Sequence, residues 1–365
     1  MGELQEVSLK KAESRVLYFD FLRIVAMIAV ITLHTAASNW GSIDIHSFSW
    51  RTFNFFDAIV RWGVPVFTMI SGALFLGNAR ELKIKTLYFK NVLRLVVAFL
   101  FWSVAYATAL FIFGDRSIRT FVAHVIQGHY HMWFLFMIVG LYIITPLLRK
   151  ITADKKATQY FLILSLIFTF VIPAILLGIK IVDKYVGANG DLLNFANSVY
   201  GNVNYHFTLG YSTYFVLGYY LHTTEISKKV EKAIYILGIL GFAATIILTK
   251  YISYYLGSPN GTFYGNMTIN VLLESVAVFT LAKCRISKII QGGRTEKIIK
   301  RLSKYSFGIY LVHAGFISVL GKLGLTTLSF NPILAVIVIV AIVFALSYCV
   351  SAVLNRIPYI NKYIV

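Results

Sequence analysis

Ten stretches of this chain, each close to twenty residues long and dominated by apolar side chains, restrict what it can become. They fall at about 16–38, 55–77, 87–113, 131–149, 159–182, 204–222, 233–253, 264–282, 304–321 and 333–354. Crossing the hydrocarbon core takes about 20 mostly apolar residues in a helix, which satisfies its own backbone inside lipid. The pattern therefore predicts an all-α polytopic membrane protein with about ten transmembrane helices. Composition agrees: 58% of the 365 residues are hydrophobic and 13% are charged, where ordinary soluble domains carry about 25%.

The placement of Lys and Arg orients the spans. With the N-terminus in the cytoplasm, 25 of the 34 basic residues fall in inner segments and seven in outer ones. The remaining two, Arg23 and Arg61, lie inside spans. The excess alternates at every crossing, and the positive-inside rule then puts both termini in the cytoplasm. It also accounts for the net charge of +19 without a nucleic-acid partner. Membrane lipids are the expected surroundings, and the basic segment 283–304 suits anionic headgroups. No inter-span segment is long enough for an appended soluble domain, so 1–365 reads as a single membrane domain. The longest outer stretch, 183–203, reads as a loop, with or without a short interfacial helix. The first apolar run is too long for a signal-peptide core and no A-x-A-like site follows it. No internal repeat of the kind that marks inverted-repeat transporters is visible. Cys284 and Cys349 form neither a disulfide framework nor a CxxC pair. Without an HExxH or a carboxylate cluster, no metal and no bound cofactor are expected.

Ionisable residues within spans are costly and usually face a bundle interior or a watery cavity. The first span, FDFLRIVAMIAVITLHTAAS (19–38), holds Asp20, Arg23 and His34. Arg23 and His34 are eleven residues apart, which places them within about 20° of one helix face and about 16 Å apart along the axis. Asp20, three residues before Arg23, is spaced to pair with it. Ala26, Met27 and Val30 lie between them on that face, leaving room for something narrow to run alongside. By the same topology Lys90 and Arg94 reach the depth of Arg23. Asp57 and Arg61, an i,i+4 pair, lie near the level of His34, together with His131 and Trp133. The result is a cationic inner layer and a mixed outer layer, with Glu274 and His313 deeper. Other readings stay open at each position. Lys90 and Arg94 can snorkel to the interface, and Asp57–Arg61 can be a structural pair. Trp133 suits an aromatic belt, and Glu274 and His313 suit interhelical hydrogen bonds.

An inner cationic mouth below an outer imidazole fits coenzyme A, which carries phosphates at one end and a thioester at the end of a narrow arm. Arginines bind phosphate bidentately, and a histidine can serve as general base toward an attacking hydroxyl. On spacing alone, other ligands fit as well.

Four motifs narrow the choice. FDFLRIVAMIAVITLHTA resembles the opening helix of the membrane acyltransferase-3 family, with Asp-x-x-Arg and a His eleven residues after the Arg. RWGVPVFTMISGALFL (61–76) resembles its second-helix pattern, and HMWFLFMIVGLYIITPLL (131–148) its Trp-Phe-Leu helix. SKYSFGIYLVH (303–313) resembles its late Ser-x-Gly-Ile-Tyr-Leu-x-His segment. The second and fourth are most similar in form to the branch that acetylates surface polysaccharides, including the enterobacterial common antigen O-acetyltransferases. The resemblance implies a multi-pass protein of the bacterial inner membrane. It also implies transfer of an acyl group, usually acetyl from cytoplasmic acetyl-CoA, to a hydroxyl of an extracytoplasmic or lipid-linked glycan. It assigns the base to His34 and a structural or donor-site role to Arg23, with Asp20 spaced to hold Arg23; direct transfer and an acyl-histidine intermediate both stay open. For the donor it matches Arg94; the two layers add Lys90 and Arg23 to the donor end and leave Arg61, Asp57, His131, Trp133, Glu274 and His313 as acceptor-side or supporting groups. Members often carry Arg-x-x-Arg at the start of the third helix; here Asn91 stands at the first position and only Arg94 matches. A glycan or solute transporter, and a succinyltransferase of the same fold, are the competing readings.

Overall fold

The computed structural model describes residues 15–77, 82–186 and 210–365, and among these every regular element is helical. The first helix, α1 (Leu17–Trp40), runs unbroken because its sequence holds no Gly or Pro. It is followed by α2 (Phe48–Ala58), which starts where Ser47 Oγ accepts from the Trp50 N–H at 3.0 Å. Next comes α3 (Gly63–Phe75). The sequence predicts one helix over 55–77, whereas the structure breaks it at 59–62 and begins it earlier. Pro65 gives the reason, since its ring excludes the carbonyl four residues back, at Arg61, and it has no N–H to donate.

Then follow α4 (Ile84–Phe113), α5 (Ile118–Gln127), α6 (Trp133–Thr152) and α7 (Lys155–Val182). Beyond residues 187–209, which lie outside the described residues with most of the expected 183–203 loop, come α8 (Tyr211–Thr223), α9 (Lys228–Leu256) and α10 (Ile269–Leu281). The chain closes with α11 (Gly293–Lys304), α12 (Ser306–Lys322), α13 (Pro332–Leu354) and α14 (Ile360–Tyr363). At α13, Asn331 Oδ1 accepts from the Ile333 N–H at 3.0 Å and Pro332 sits at the first helical position, where its missing N–H costs nothing.

Among the described residues, eight helical segments are long and apolar enough to cross a membrane. The other two expected spans correspond to α8 and α12, with 13 and 17 residues. At 1.5 Å per residue these reach about 20 and 26 Å, short of a hydrocarbon core of about 30 Å. Residues 204–209, where the expected span at α8 begins, are outside the described set.

The first helix is the centre of the bundle and packs against α2, α3, α11, α12 and α13. Half of its most apolar window is buried inside the protein, against 22% for α4 and for α7, which turn most of their apolar surface outward. Large apolar side chains such as Phe89, Ile163 and Ile239 are accordingly exposed, as suits helices surrounded by lipid tails. Where helices must touch, small residues let them. Gly72 of α3 and Gly218 of α8 face each other so closely that a Cβ on either would fall inside the partner's backbone, at Phe215 and Met69 respectively.

Two features near the basic end were not expected. The segment 283–304 is not an open loop: α10 runs on through a wider turn to Ile289, and α11 then packs on α1 through Ile299 and Ser303. Its basic side chains Arg294, Lys297 and Arg301 are exposed. After α13 the chain also doubles back. Tyr359 adopts φ 67°, a left-handed conformation that non-glycine residues rarely take. This turns α14 against α4, where Trp102 Nε1 donates to the Ile364 carbonyl at 3.1 Å and Arg94 Nη2 to the Val365 oxygen at 2.6 Å.

Candidate active site

Asp20 is fully buried and gathers three donors: Arg15 Nε at 2.5 Å, Arg23 Nη1 at 2.8 Å and Ser303 Oγ at 2.7 Å. The expected Asp20–Arg23 pair is therefore present. It also locks α1 to α11 and to the segment before α1. Such a carboxylate is costly to bury without partners, so Asp20→Ala is expected to destabilise the protein by roughly 3 kcal/mol, the low end for breaking a buried pair, because Arg15 and Arg23 still reach solvent. Thermal unfolding in detergent reads the change as a lowered Tm, and an unchanged Tm removes the junction from the stability of the fold.

Arg23 also lines a cavity of about 710 Å³ at the end that the Lys/Arg pattern assigns to the cytoplasm. Lys90, Asn91 and Arg94 of α4 line it with Arg23, so the structure assembles the whole predicted inner layer in one place. Tyr142, Phe307, Asn361, Lys362 and Tyr363 line it too, and none of these was foreseen. No carboxylate lines the cavity. Among the described residues, only Arg23 of its four cations pairs with an Asp or Glu side chain, while Arg94 is held by the Val365 oxygen at 2.6 Å. Uncompensated positive charge in a partly closed, low-dielectric wall draws anions.

At the other end of α1, His34 is half-buried and its ring stacks on His313 at 5.4 Å between centroids, with the Tyr130 ring edge-on at 5.1 Å. His313 meets His131 at 5.0 Å, and His131 Nδ1 lies 2.9 Å from His129 Nδ1. A carbonyl only accepts, so the 2.6 Å contact from His313 Nδ1 to the Tyr310 oxygen puts the proton on Nδ1. Its Nε2 is left as an acceptor, buried with no hydrogen-bond partner. Tyr106 fixes the region by donating to the Leu311 carbonyl at 2.8 Å and accepting from Gly315 N–H at 3.1 Å. His129 sits in the turn between α5 and α6, outside the spans, where burial, reinforced by the nearby His124 charge, lowers its pKa to about 4. It is neutral at neutral pH, so the short Nδ1–Nδ1 contact joins one donor to one acceptor. His129 was missed by sequence reasoning, although the alternation in HYH offered a signal.

The remaining candidates are spread around this centre. Asp57 is fully buried and hydrogen-bonded by Arg61, whose guanidinium lies 3.9 Å from the Tyr264 ring centroid. Both sit at the break between α2 and α3, and Arg61 is within electrostatic reach of His34. Trp133 stands apart from the histidines, half-exposed against Tyr211 and Phe134. Glu274 is buried between α9 and α10, accepting from Thr245 Oγ1, which in turn accepts from Asn270. That is an interhelical bond between α9 and α10. Between the two ends, Met27 and Val30 are buried in a packed cluster with Leu135 and Ile309. Side chains thus pack where the sequence leaves room for something narrow beside α1. No group of three or more His, Cys, Asp or Glu suited to a metal occurs among the described residues. Cys284 and Cys349 are free thiols.

The family model described as an acyltransferase domain, that of acyltransferase-3, matches residues 16–352. No curated protein and no solved structure gives a significant match.

Proposed function

The chain belongs to the acyltransferase-3 family, and from that premise we propose that it moves an acetyl group from cytoplasmic acetyl-CoA to a hydroxyl of an extracytoplasmic or lipid-linked glycan. The observation that carries the reading is the pairing on one helix of a cationic cavity at Arg23 with a histidine cluster at His34. The phosphates rest on Lys90, Arg94 and the free side of Arg23, as charge-assisted hydrogen bonds favour. The acyl arm rises beside α1, parting Met27, whose unbranched side chain adapts readily. His34 accepts the proton of the acceptor hydroxyl as its oxygen attacks the thioester carbonyl. The tetrahedral intermediate then collapses, the C–S bond breaks, and the same proton returns to the departing thiolate. The products are the acylated glycan and free CoA. His313 and His131 hold the His34 ring in place, and Arg61, held by Asp57, and Trp133 border the acceptor. Glu274 supports the bundle at α9–α10. The setting is the bacterial inner membrane and the acceptor a surface polysaccharide, for which the enterobacterial common antigen is the type suggested by the motifs.

Chemical analysis of surface glycans from cells with and without the protein tests this. Acetyl groups lost while the glycan is still exported support it. Unchanged acetylation overturns it, and loss of the glycan itself points to transport instead. The donor end has a separate check. Arg94→Ala is expected to weaken CoA binding to the purified protein about tenfold, the scale of one charge-assisted contact. An affinity equal to the parent's removes Arg94 from the donor site.

A further inference from the structure

The inner cavity receives one cation from a segment that the family model does not reach, since its match ends at residue 352. Lys362 lies on α14, and its neighbours Asn361 and Tyr363 line the cavity with it. Its ammonium sits 4.8 Å from the Tyr363 ring centroid, and no carboxylate among the described residues pairs with it. Its position is imposed by the backbone. The turn at Tyr359, the bond from Trp102 to the Ile364 carbonyl and the bond from Arg94 to the Val365 oxygen all hold α14 across the cavity mouth. Across from it on α4, Asn91 is uncharged between the charged positions Lys90 and Arg94. Lys90 and Lys362 share the cavity with Arg94, which the Val365 oxygen holds on one side only; like charges so placed repel each other, and a ligand with several negative charges relieves that repulsion.

We propose that Lys362 is a donor-binding residue: with Lys90 and Arg94 it holds the phosphates at the nucleotide end of acyl-CoA, the strap at α14 supplying the charge that Asn91 lacks. The inference rests on the reading that this cavity receives the acyl donor. It accounts for why the chain doubles back where a solvated tail would serve a simple span. Lys362 belongs to binding and not to the chemical step, since α14 lies at the opposite end of α1 from His34. A group that binds substrate and transition state equally changes KM and leaves kcat alone.

The experiment measures CoA binding to the full-length protein in detergent at low ionic strength. Lys362→Gln is expected to weaken binding about tenfold and to raise the KM for acetyl-CoA similarly, with kcat within about twofold of the parent. The difference should shrink as salt is raised, because Lys362 is exposed and exposed charges are screened. Lys297→Gln, which removes an exposed charge from α11 away from the cavity, should bind like the parent. The double variant Asn91→Arg/Lys362→Gln should recover most of the lost affinity, because it returns one cation to the same cavity from the α4 side. That recovery also shows that any loss in the single variant is not misfolding. Parent-like CoA affinity in Lys362→Gln overturns the inference and leaves the donor site standing. Parent protein that binds no CoA overturns the donor-site reading itself, and this inference with it.

Discussion

Replacing His34 with alanine is expected to lower the rate of acyl transfer at least a hundredfold in a protein that still folds and still binds CoA. A positioned general base typically contributes about 10²–10⁴ in rate, and within the proposed mechanism His34 carries both proton transfers. Its surroundings favour a clean result. The ring is half-buried and contacts His313 by stacking and Tyr130 edge-on, so truncation strips ring contacts from one side of the cluster. The bonds that hold the cluster belong to other residues: His313 to Tyr310, His129 to His131, and Tyr106 to α12. The inner cavity, the proposed donor site, lies about 16 Å away by helical rise and should not sense the change. Initial rates with radiolabelled acetyl-CoA, measured beside CoA affinity, decide the matter. Equal falls in kcat and kcat/KM at unchanged affinity are the mark of a group acting in the transition state. Parent-like transfer by a correctly inserted His34→Ala protein removes this histidine from the chemistry.

Gly218→Val is expected to prevent folding altogether, and Gly72→Val likewise. Each Cβ would coincide with backbone atoms of the facing helix, Met69 for Gly218 and Phe215 for Gly72. A side-chain tip can rotate away from such an overlap, but a helix backbone moves only as a unit. Overpacking that side chains can absorb costs about 1–3 kcal/mol; separating α3 from α8 exceeds that and opens the packing on both. In a membrane, this contact has no hydrophobic driving force to replace it, since close packing is itself what joins the helices. Gly140 in α6 supplies the contrast, because a Cβ there meets nothing within 4 Å. Gly140→Ala should be neutral or slightly stabilising through helix propensity. Size-exclusion profiles of the three detergent-solubilised variants read the outcome. A monodisperse Gly218→Val protein with the parent's Tm would mean that α3 and α8 do not meet at these glycines.

Hydropathy and charge alternation made the helices legible, because the bilayer imposes length and polarity on each crossing independently of its neighbours. Helical phase made the inner cavity legible for the same local reason: Arg23, Lys90 and Arg94 are placed by depth alone, and they do share a wall. What depends on one helix meeting another was not legible. The stacking of His313 on His34 joins residues 279 positions apart in sequence, and no spacing rule reaches that far. The Gly72–Gly218 contact is of the same kind. The break at 59–62 had a local signal in Pro65 that the apolar run masked. The return of α14 had none, since the turn rests on Tyr359, a residue type that seldom takes that conformation. The fourth cation of the cavity went unseen with it.

The packed cluster of Met27, Val30, Leu135 and Ile309 between the two ends of α1 has a consequence for the cell as a whole. A protein with a charged hollow on one side of a membrane and basic imidazoles on the other invites leakage, since water threading between them would carry protons down their gradient. The greasy septum midway prevents a continuous water wire, as an empty apolar gap stays dry. Under the proposed mechanism, the arm of the donor would have to wedge this septum apart and fill the space that it opens. On that mechanism, insulation would be broken only when the gap is already plugged, and the barrier would hold while the acyl group crosses.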